Sequence, residues 1–296
     1  MNRKIPVWLV AVLSFAILIC PTAWTTFTPS TAYAQDDFSC ANVSEIPLAE
    51  CEALVAISAA NPDARLPDDW LTTNMPCNWK NVGCHDGHIA LLGLLGNQLT
   101  SMPPEIGNLS SLEWLDLSEN QLTTLPVGMG NLSSLESLFL SDNQLTSMPP
   151  EIGNLSSLTW LDLSENQLTS MPPEIGNLFS LTWLFLSGNQ LTSMPPEMDN
   201  LSSLTWLDLS DNQLTTLPPE IGNLSSLRWL QLSDNQLTTL PTEIGNLSSL
   251  IELSLGENQL TSVPMELGNL PEQVRVQILA DNITIEKGIL LPFIAR

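Results

Sequence analysis

Basic side chains are scarce in this chain. Eight Lys and Arg stand against 32 Asp and Glu, a formal net charge of −24 at pH 7 over 296 residues. Such a charge repels nucleic acid and anionic lipid, which sets those two classes of partner aside. Histidine is scarcer still, with only His85 and His88, three residues apart. No nucleophile elbow and no phosphate-binding loop occur, and no cofactor motif is recognisable, so the pattern reads as a non-enzyme. Paired carboxylates such as Asp162 and Asp208 have the chemistry for acid–base work, but on an open sheet nothing excludes water from them. No segment beyond the first 20 residues is long and apolar enough to cross a bilayer, which takes about 20 residues in a helix.

The first 34 residues read as an address. Arg3 and Lys4 form a basic start, residues 5–20 an apolar run of 16, and Ala32-Tyr33-Ala34 a small-x-small cleavage site ahead of Gln35. This is the layout of a secretory signal peptide. A retained anchor is the alternative. Lipidation at Cys20 is disfavoured by the bulky Ile19 before it. Cleavage would leave six Lys and Arg against 32 Asp and Glu, a net −26. The expectation is a secreted, extracellular or cell-surface protein with no membrane span after cleavage.

The rest of the chain repeats itself. The frame L-x-x-L-x-L-x-x-N-x-L, as in Leu112-Glu113-Trp114-Leu115-Asp116-Leu117-Ser118-Glu119-Asn120-Gln121-Leu122, returns every 23 residues. It starts at Ile89, Leu112, Leu135, Leu158, Leu181, Leu204, Leu227 and Leu250, with a worn ninth copy near Gln273. Self-similarity at a fixed short period marks a solenoid. Positions four and six of each turn are Leu and flank one residue, so both point to one face of a short strand. Stacked turns then make a parallel sheet. Asn occupies position nine throughout: Asn97, Asn120, Asn143, Asn166, Asn189, Asn212, Asn235 and Asn258. Among buried leucines an unpaired amide is costly, and this side chain both donates and accepts. The role is structural. Pro-Pro-Glu, as in Pro149-Pro150-Glu151, opens the outer segment, and Gly153-Asn154 limits any helix there to a turn or two. The recurrent Asn-Leu-Ser is formally a glycosylation sequon; repeat geometry explains it better.

Four cysteines remain beyond the leader, Cys40, Cys51, Cys77 and Cys84, and an even number in an exported chain points to disulfides. Three pairings are open. The local one, Cys40–Cys51 with Cys77–Cys84, closes the shortest loops. A metal site from Cys77, Cys84, His85 and His88 is the alternative, but the cysteine spacing is wider than a zinc pair. Residues 47–60 carry Leu48, Cys51, Leu54, Val55 and Ile57 at helical spacing, behind Pro47 and ahead of Asn61-Pro62-Asp63. Trp70 and Trp79 read as covers for the first core layer rather than ligand contacts.

Cys77-Asn78-Trp79-Lys80-Asn81-Val82-Gly83-Cys84, a C-x-W-x-x-V-x-C run behind a cysteine-bearing helix and leading into repeats, resembles the N-terminal cap of extracellular leucine-rich-repeat proteins. Such caps belong to plant receptors and inhibitors and to secreted bacterial relatives. The phrase Ile46-Pro47-Leu48-Ala49-Glu50-Cys51-Glu52-Ala53-Leu54 is similar to the bacterial versions. The resemblance implies an α/β solenoid, a leucine-rich-repeat horseshoe. Its concave face is a parallel β-sheet and its convex face carries short helical or 3-10 turns, over eight 23-residue repeats plus caps. It also implies that the asparagines form a ladder bonding backbone groups after each strand. The expected divisions are a signal peptide at 1–34, a disulfide-containing cap at 35–88, repeats at 89–272 and a degenerate repeat with a C-terminal cap at 273–296. In that last part Val276, Ile278, Asp281 and Ile283 keep some of the frame, and residues 289–294 should cover the last core layer. No cysteine-bearing C-terminal cap is present, unlike in many such relatives.

The candidate site is on the inner sheet, at positions three, five and seven. Position three reads Leu91, Trp114, Ser137, Trp160, Trp183, Trp206, Trp229, Glu252, so five of the nine tryptophans sit there. Position five reads Gly93, Asp116, Phe139, Asp162, Phe185, Asp208, Gln231, Ser254, and position seven is mostly Ser. The expectation is a strip of indoles bordered by alternating carboxylates and aromatics. Exposed tryptophans are typical of recognition surfaces; the bland alternative is duplication plus cross-strand stabilisation. Position eight carries Glu119, Asp142, Glu165, Asp211, Asp234 and Glu257, which reads as a solvated rim, with attraction of a basic partner as the alternative. The reading is a monomeric module that binds a protein or peptide on the concave face. Carbohydrate binding through the tryptophans is the first alternative and a structural surface protein the second.

Overall fold

A computed structural model describes residues 38–271 and 274–277. The proposed signal segment, and the cap-forming residues 278–296, lie outside the described residues. Residues 38 onward form one unit, and the account below concerns that unit alone.

A helix, α1 (Leu48–Ala60), is followed by ten strands joined in sequence order into one sheet. β1 (Val82–His85) pairs antiparallel with β2 (His88–Gly93). From β2 onward all pairing is parallel: β3 (Trp114–Asp116), β4 (Ser137–Phe139), β5 (Trp160–Asp162), β6 (Trp183–Phe185), β7 (Trp206–Asp208), β8 (Trp229–Gln231), β9 (Glu252–Ser254) and β10 (Arg275–Gln277). The register is the repeat itself: each residue pairs with the one 23 places on, as Trp160 with Trp183 and Leu161 with Leu184. β10 continues it, with Val276 opposite Leu253. The worn ninth copy therefore still makes a strand.

Behind each strand lies the leucine layer. Leu158, Leu161, Leu163, Leu168, Ile175 and Leu178 of one turn are fully buried, and every repeat contributes the equivalent set. The strands are short because only three residues per turn meet the ladder geometry before the chain bends. Each outer segment is a five-residue 3-10 turn, such as Pro150–Asn154 or Pro173–Asn177. Pro149 and Pro172 precede these turns in extended conformation.

The glycine of the outer segment has a reason beyond the one read in the sequence. It lets neighbouring turns touch. A Cβ on Gly176 would sit 2.2 Å from the carbonyl oxygen of Glu197 in the next turn, and one on Gly153 2.4 Å from that of Glu174. Close approach favours glycine there in addition to the turn's ending, although one turn carries Asp199 at the equivalent place.

The asparagine at position nine bridges turns. Asn166 Oδ1 accepts from Leu145 N at 3.0 Å. Its Nδ2 donates to Leu140 O at 2.9 Å, and to Leu163 O and Ser164 O at 3.1 Å. Asn120, Asn143, Asn189, Asn212, Asn235 and Asn258 repeat this pattern. Asn97, in the first turn, bonds Leu95 O. Its ladder neighbour is supplied from outside the frame: Asn61, at the end of α1, accepts from Thr100 N and Ser101 N and donates to Ile57 O and Ser101 O.

At this end the disulfides are Cys40–Cys51 and Cys77–Cys84. The second leaves no thiolate at Cys77 or Cys84 for a metal. Trp70 and Trp79 are buried, with ring centroids 5.9 Å apart, and Trp79 also meets Phe38 at 5.5 Å. Their indole N–H groups donate to Lys80 O and Thr73 Oγ1. The inward face of α1 is Glu50, Cys51, Ala53, Leu54 and Ile57. Leu48 instead faces solvent and Val55 is half-buried, because a buried carboxylate takes part of the inward stripe. Glu50 Oε2 accepts from Ile89 N at 2.8 Å and Oε1 lies 2.6 Å from His88 Nδ1. This residue pins the helix to β2.

Candidate binding face

The middle residue of each strand points into the leucine layer, so the two flanking residues share the opposite face. That places Trp114, Trp160, Trp183, Trp206 and Trp229 on the open side of the sheet, together with Phe139, Phe185, Asp116, Asp162 and Asp208. All are half-buried and none belongs to the core. The covering comes from one another.

The ring contacts do not follow position three alone. They run Trp114–Phe139 at 5.7 Å, Phe139–Trp160 at 5.9 Å, Trp160–Phe185 at 5.4 Å, Phe185–Trp206 at 6.0 Å and Trp206–Trp229 at 5.2 Å. Trp183 packs on Trp160 at 5.2 Å. The phenylalanines are therefore links rather than a border: Phe139 fills the gap opposite Ser137, where an indole is missing. These separations and tilts are those of favourable aromatic pairs. One cost is visible. Trp160 Nε1 is shut off from solvent and has no hydrogen-bond partner among the described residues, a loss of about 1–3 kcal/mol. A strip that served only to glue strands would not need that donor.

The carboxylates are held in a common orientation. Oδ1 of Asp116, Asp162 and Asp208 accepts from the backbone N–H of Ser118, Ser164 and Ser210 at 2.9, 3.0 and 3.0 Å. Ser210 Oγ adds a second bond to Asp208. Asp162 lies in register between Phe139 and Phe185, and Asp208 between Phe185 and Gln231. Burial among these groups pushes both carboxyls above the usual 3.8. The Ser164 and Ser210 bonds pull the other way, and repulsion from Asp142 and Asp116, or from Asp211 and Asp162, adds to the rise. Half-desolvated anions beside aromatic rings attract cations strongly.

At the N-terminal edge of the same face Leu91, in register with Trp114, is exposed, and so is Leu95 just after β2. Leu95 stands where most other turns have serine. The acidic row at position eight occupies the bend after each strand. Glu119, Asp142, Glu165, Asp211, Asp234 and Glu257 all have φ of 52–57°, and Gly96 and Gly188 replace them with φ of 68° and 67°. The row therefore follows the left-handed bend. Among the described residues no group of three or more His, Cys, Asp or Glu is placed to hold a metal ion, and no helix is long and apolar enough to cross a membrane.

A model of leucine-rich repeat regions matches residues 76–173, 127–205 and 170–287, which overlap and span most of the chain. The chain belongs to the leucine-rich-repeat family. Among solved leucine-rich-repeat structures it is similar to a protein of Leptospira interrogans, with 37% identity over 65% of this chain and a TM-score of 0.53. It is also similar to the plant peptide hormone receptor RGFR1 in complex with RGF2, with 36% identity over 66% of this chain and a TM-score of 0.57. A third is the leucine-rich-repeat ectodomain of the Arabidopsis thaliana receptor kinase GASSHO1/SCHENGEN3 in complex with CASPARIAN STRIP INTEGRITY FACTOR 2, with 31% identity over 80% of this chain and a TM-score of 0.59. The chain spans 55% of the Leptospira protein and 31% and 35% of the two plant chains. A search among curated proteins finds no match. Both plant neighbours are receptors seen in complexes, with RGF2 and with CASPARIAN STRIP INTEGRITY FACTOR 2, and the second is named as a receptor kinase.

Proposed function

We propose that this protein is an exported interaction module that binds a protein or peptide across the open face of its sheet. The observation that carries the reading is the aromatic chain from Trp114 to Trp229, unbroken across six strands, with carboxylates set into it. A surface of this composition suits recognition: rigid rings give contact area at little entropic cost, and fixed carboxylates give register. The plant neighbours lend support, since one is a peptide hormone receptor in complex with RGF2 and the other a receptor ectodomain in complex with CASPARIAN STRIP INTEGRITY FACTOR 2. The disulfides and the signal-like start support export. Sugar stacking is less favoured because the Trp206 and Trp229 rings, 26° apart in plane, already cover each other's faces.

The test is selection from a displayed library of random peptides, followed by binding to the Trp183→Ala/Trp206→Ala variant. Peptides selected on the parent chain should lose at least about tenfold in affinity on the variant, while its circular dichroism and melting stay those of a folded solenoid. Equal affinity for both chains would remove the strip from the function.

A further inference from the structure

Resting on that reading, we propose that the preferred ligand is a basic polyproline II segment with an arginine at every third residue, laid across the strands with its arginines on Asp116, Asp162 and Asp208.

The argument is one of spacing. The three aspartates occupy β3, β5 and β7, every second strand. Parallel strands lie about 4.8 Å apart, so successive carboxylates, two strands apart, stand about 9.6 Å apart. A polyproline II helix has three residues per turn at about 3.1 Å each, returning the same face every ~9.3 Å. A fully extended strand fails, because residues three apart point to opposite sides. An α-helix returns a face after seven residues and about 10.5 Å, drifting further out of step over two intervals. The left-handed, three-fold chain is the closest match.

The chemistry agrees. The chain carries a net charge of −24, and the open face among the described strands has acidic rather than basic neighbours at positions three and five from β3 to β9. Each carboxylate is oriented by its serine N–H before any ligand arrives. Arginine is favoured over lysine because its planar guanidinium stacks on the rings that flank each carboxylate while pairing with the oxygens. Proline rings between arginines fall on Phe139 and Phe185 and on the tryptophans beside them. A polyproline II backbone also keeps its carbonyls free of internal bonds, so on a small rotation of the ring it supplies the acceptor that Trp160 Nε1 lacks.

The experiment is fluorescence anisotropy at about 0.15 M salt, where long-range attraction is screened, on the full chain with labelled synthetic peptides. The probe is four Arg-Pro-Pro triplets. One control carries the same four arginines separated by three prolines, another separates them by two glycines, and a third is a helical peptide with arginine every seventh residue. The triplet probe should bind at least about tenfold tighter than each control, and Asp162→Asn/Asp208→Asn should remove that preference. Equal binding of triplet and four-residue spacing means attraction by bulk charge only and overturns the inference. Preference for the helical peptide does the same. Neither result touches the broader reading, which fails only if library-selected peptides ignore Trp183 and Trp206.

Discussion

Along the repeats, one asparagine per turn makes the same set of hydrogen bonds again and again. Where the array begins, that work falls to two unlike residues, Asn61 and Glu50, each used once. The array is redundant in kind but continuous in contact, so damage in its middle is felt on both sides. The N-terminal end is irregular, and damage there is local. A solenoid whose turns touch only their neighbours should behave in this way.

The largest effect should come from breaking the array at its centre. Asn166→Ala strands Leu145 N and three carbonyl oxygens, and should cost about 3–4 kcal/mol in urea unfolding, with a shallower transition as the two halves uncouple. Next is the junction. Glu50→Ala leaves Ile89 N and His88 without their acceptor and should cost about 2–3 kcal/mol. Hydrogen exchange should locate the loss in α1, β1 and β2 and leave β5 to β8 protected. Exchange rising evenly along the chain would erase the distinction between the two regions.

The outer surface gives a third comparison, between packed and unpacked positions of the same repeat. Gly176→Ala places a methyl against Glu197 O and should cost about 1–3 kcal/mol. Glu119 sits at φ 55° on an exposed bend, so Glu119→Gly should raise stability by about 0.5–1 kcal/mol. The smallest effect is that of pH. Asp162 and Asp208 have folded values raised above 3.8 by burial, so their ionisation opposes folding. That penalty is absent below 3.8 and grows as pH rises through the folded values. Asp162→Asn/Asp208→Asn should therefore flatten the stability profile upward from 3.8, with the parent chain losing more on going from mild acid to neutral. An unchanged profile would mean the two carboxyls are more hydrated than the rings around them allow.

The repeat was legible because its period is written in leucine and asparagine, and 23-residue spacing admits one register. Strand positions, the solenoid and the five tryptophans on one face followed from the two-residue alternation of side chains. What could not be read off was contact between turns. Gly153 looked like no more than a helix stop because its neighbour in space, Glu174 O, is a turn away. Phe139 and Phe185 looked like a border because tilt, not sequence, decides which rings touch. Asn61 was legible as the end of the helix but not as a rung of the ladder, and a lone acid such as Glu50 on an amphipathic helix reads as solvated until its partner, a strand 39 residues on, is known.

The aromatic strip as the contact surface is the claim on which the function rests, and solute quenching tests it directly. Acrylamide quenching of tryptophan emission should fall when the full chain is saturated with a library-selected peptide, because Trp160, Trp183, Trp206 and Trp229 become covered while the cap's Trp70 and Trp79 stay buried as before. Quenching that stays unchanged at saturation would place the ligand elsewhere and contradict the account.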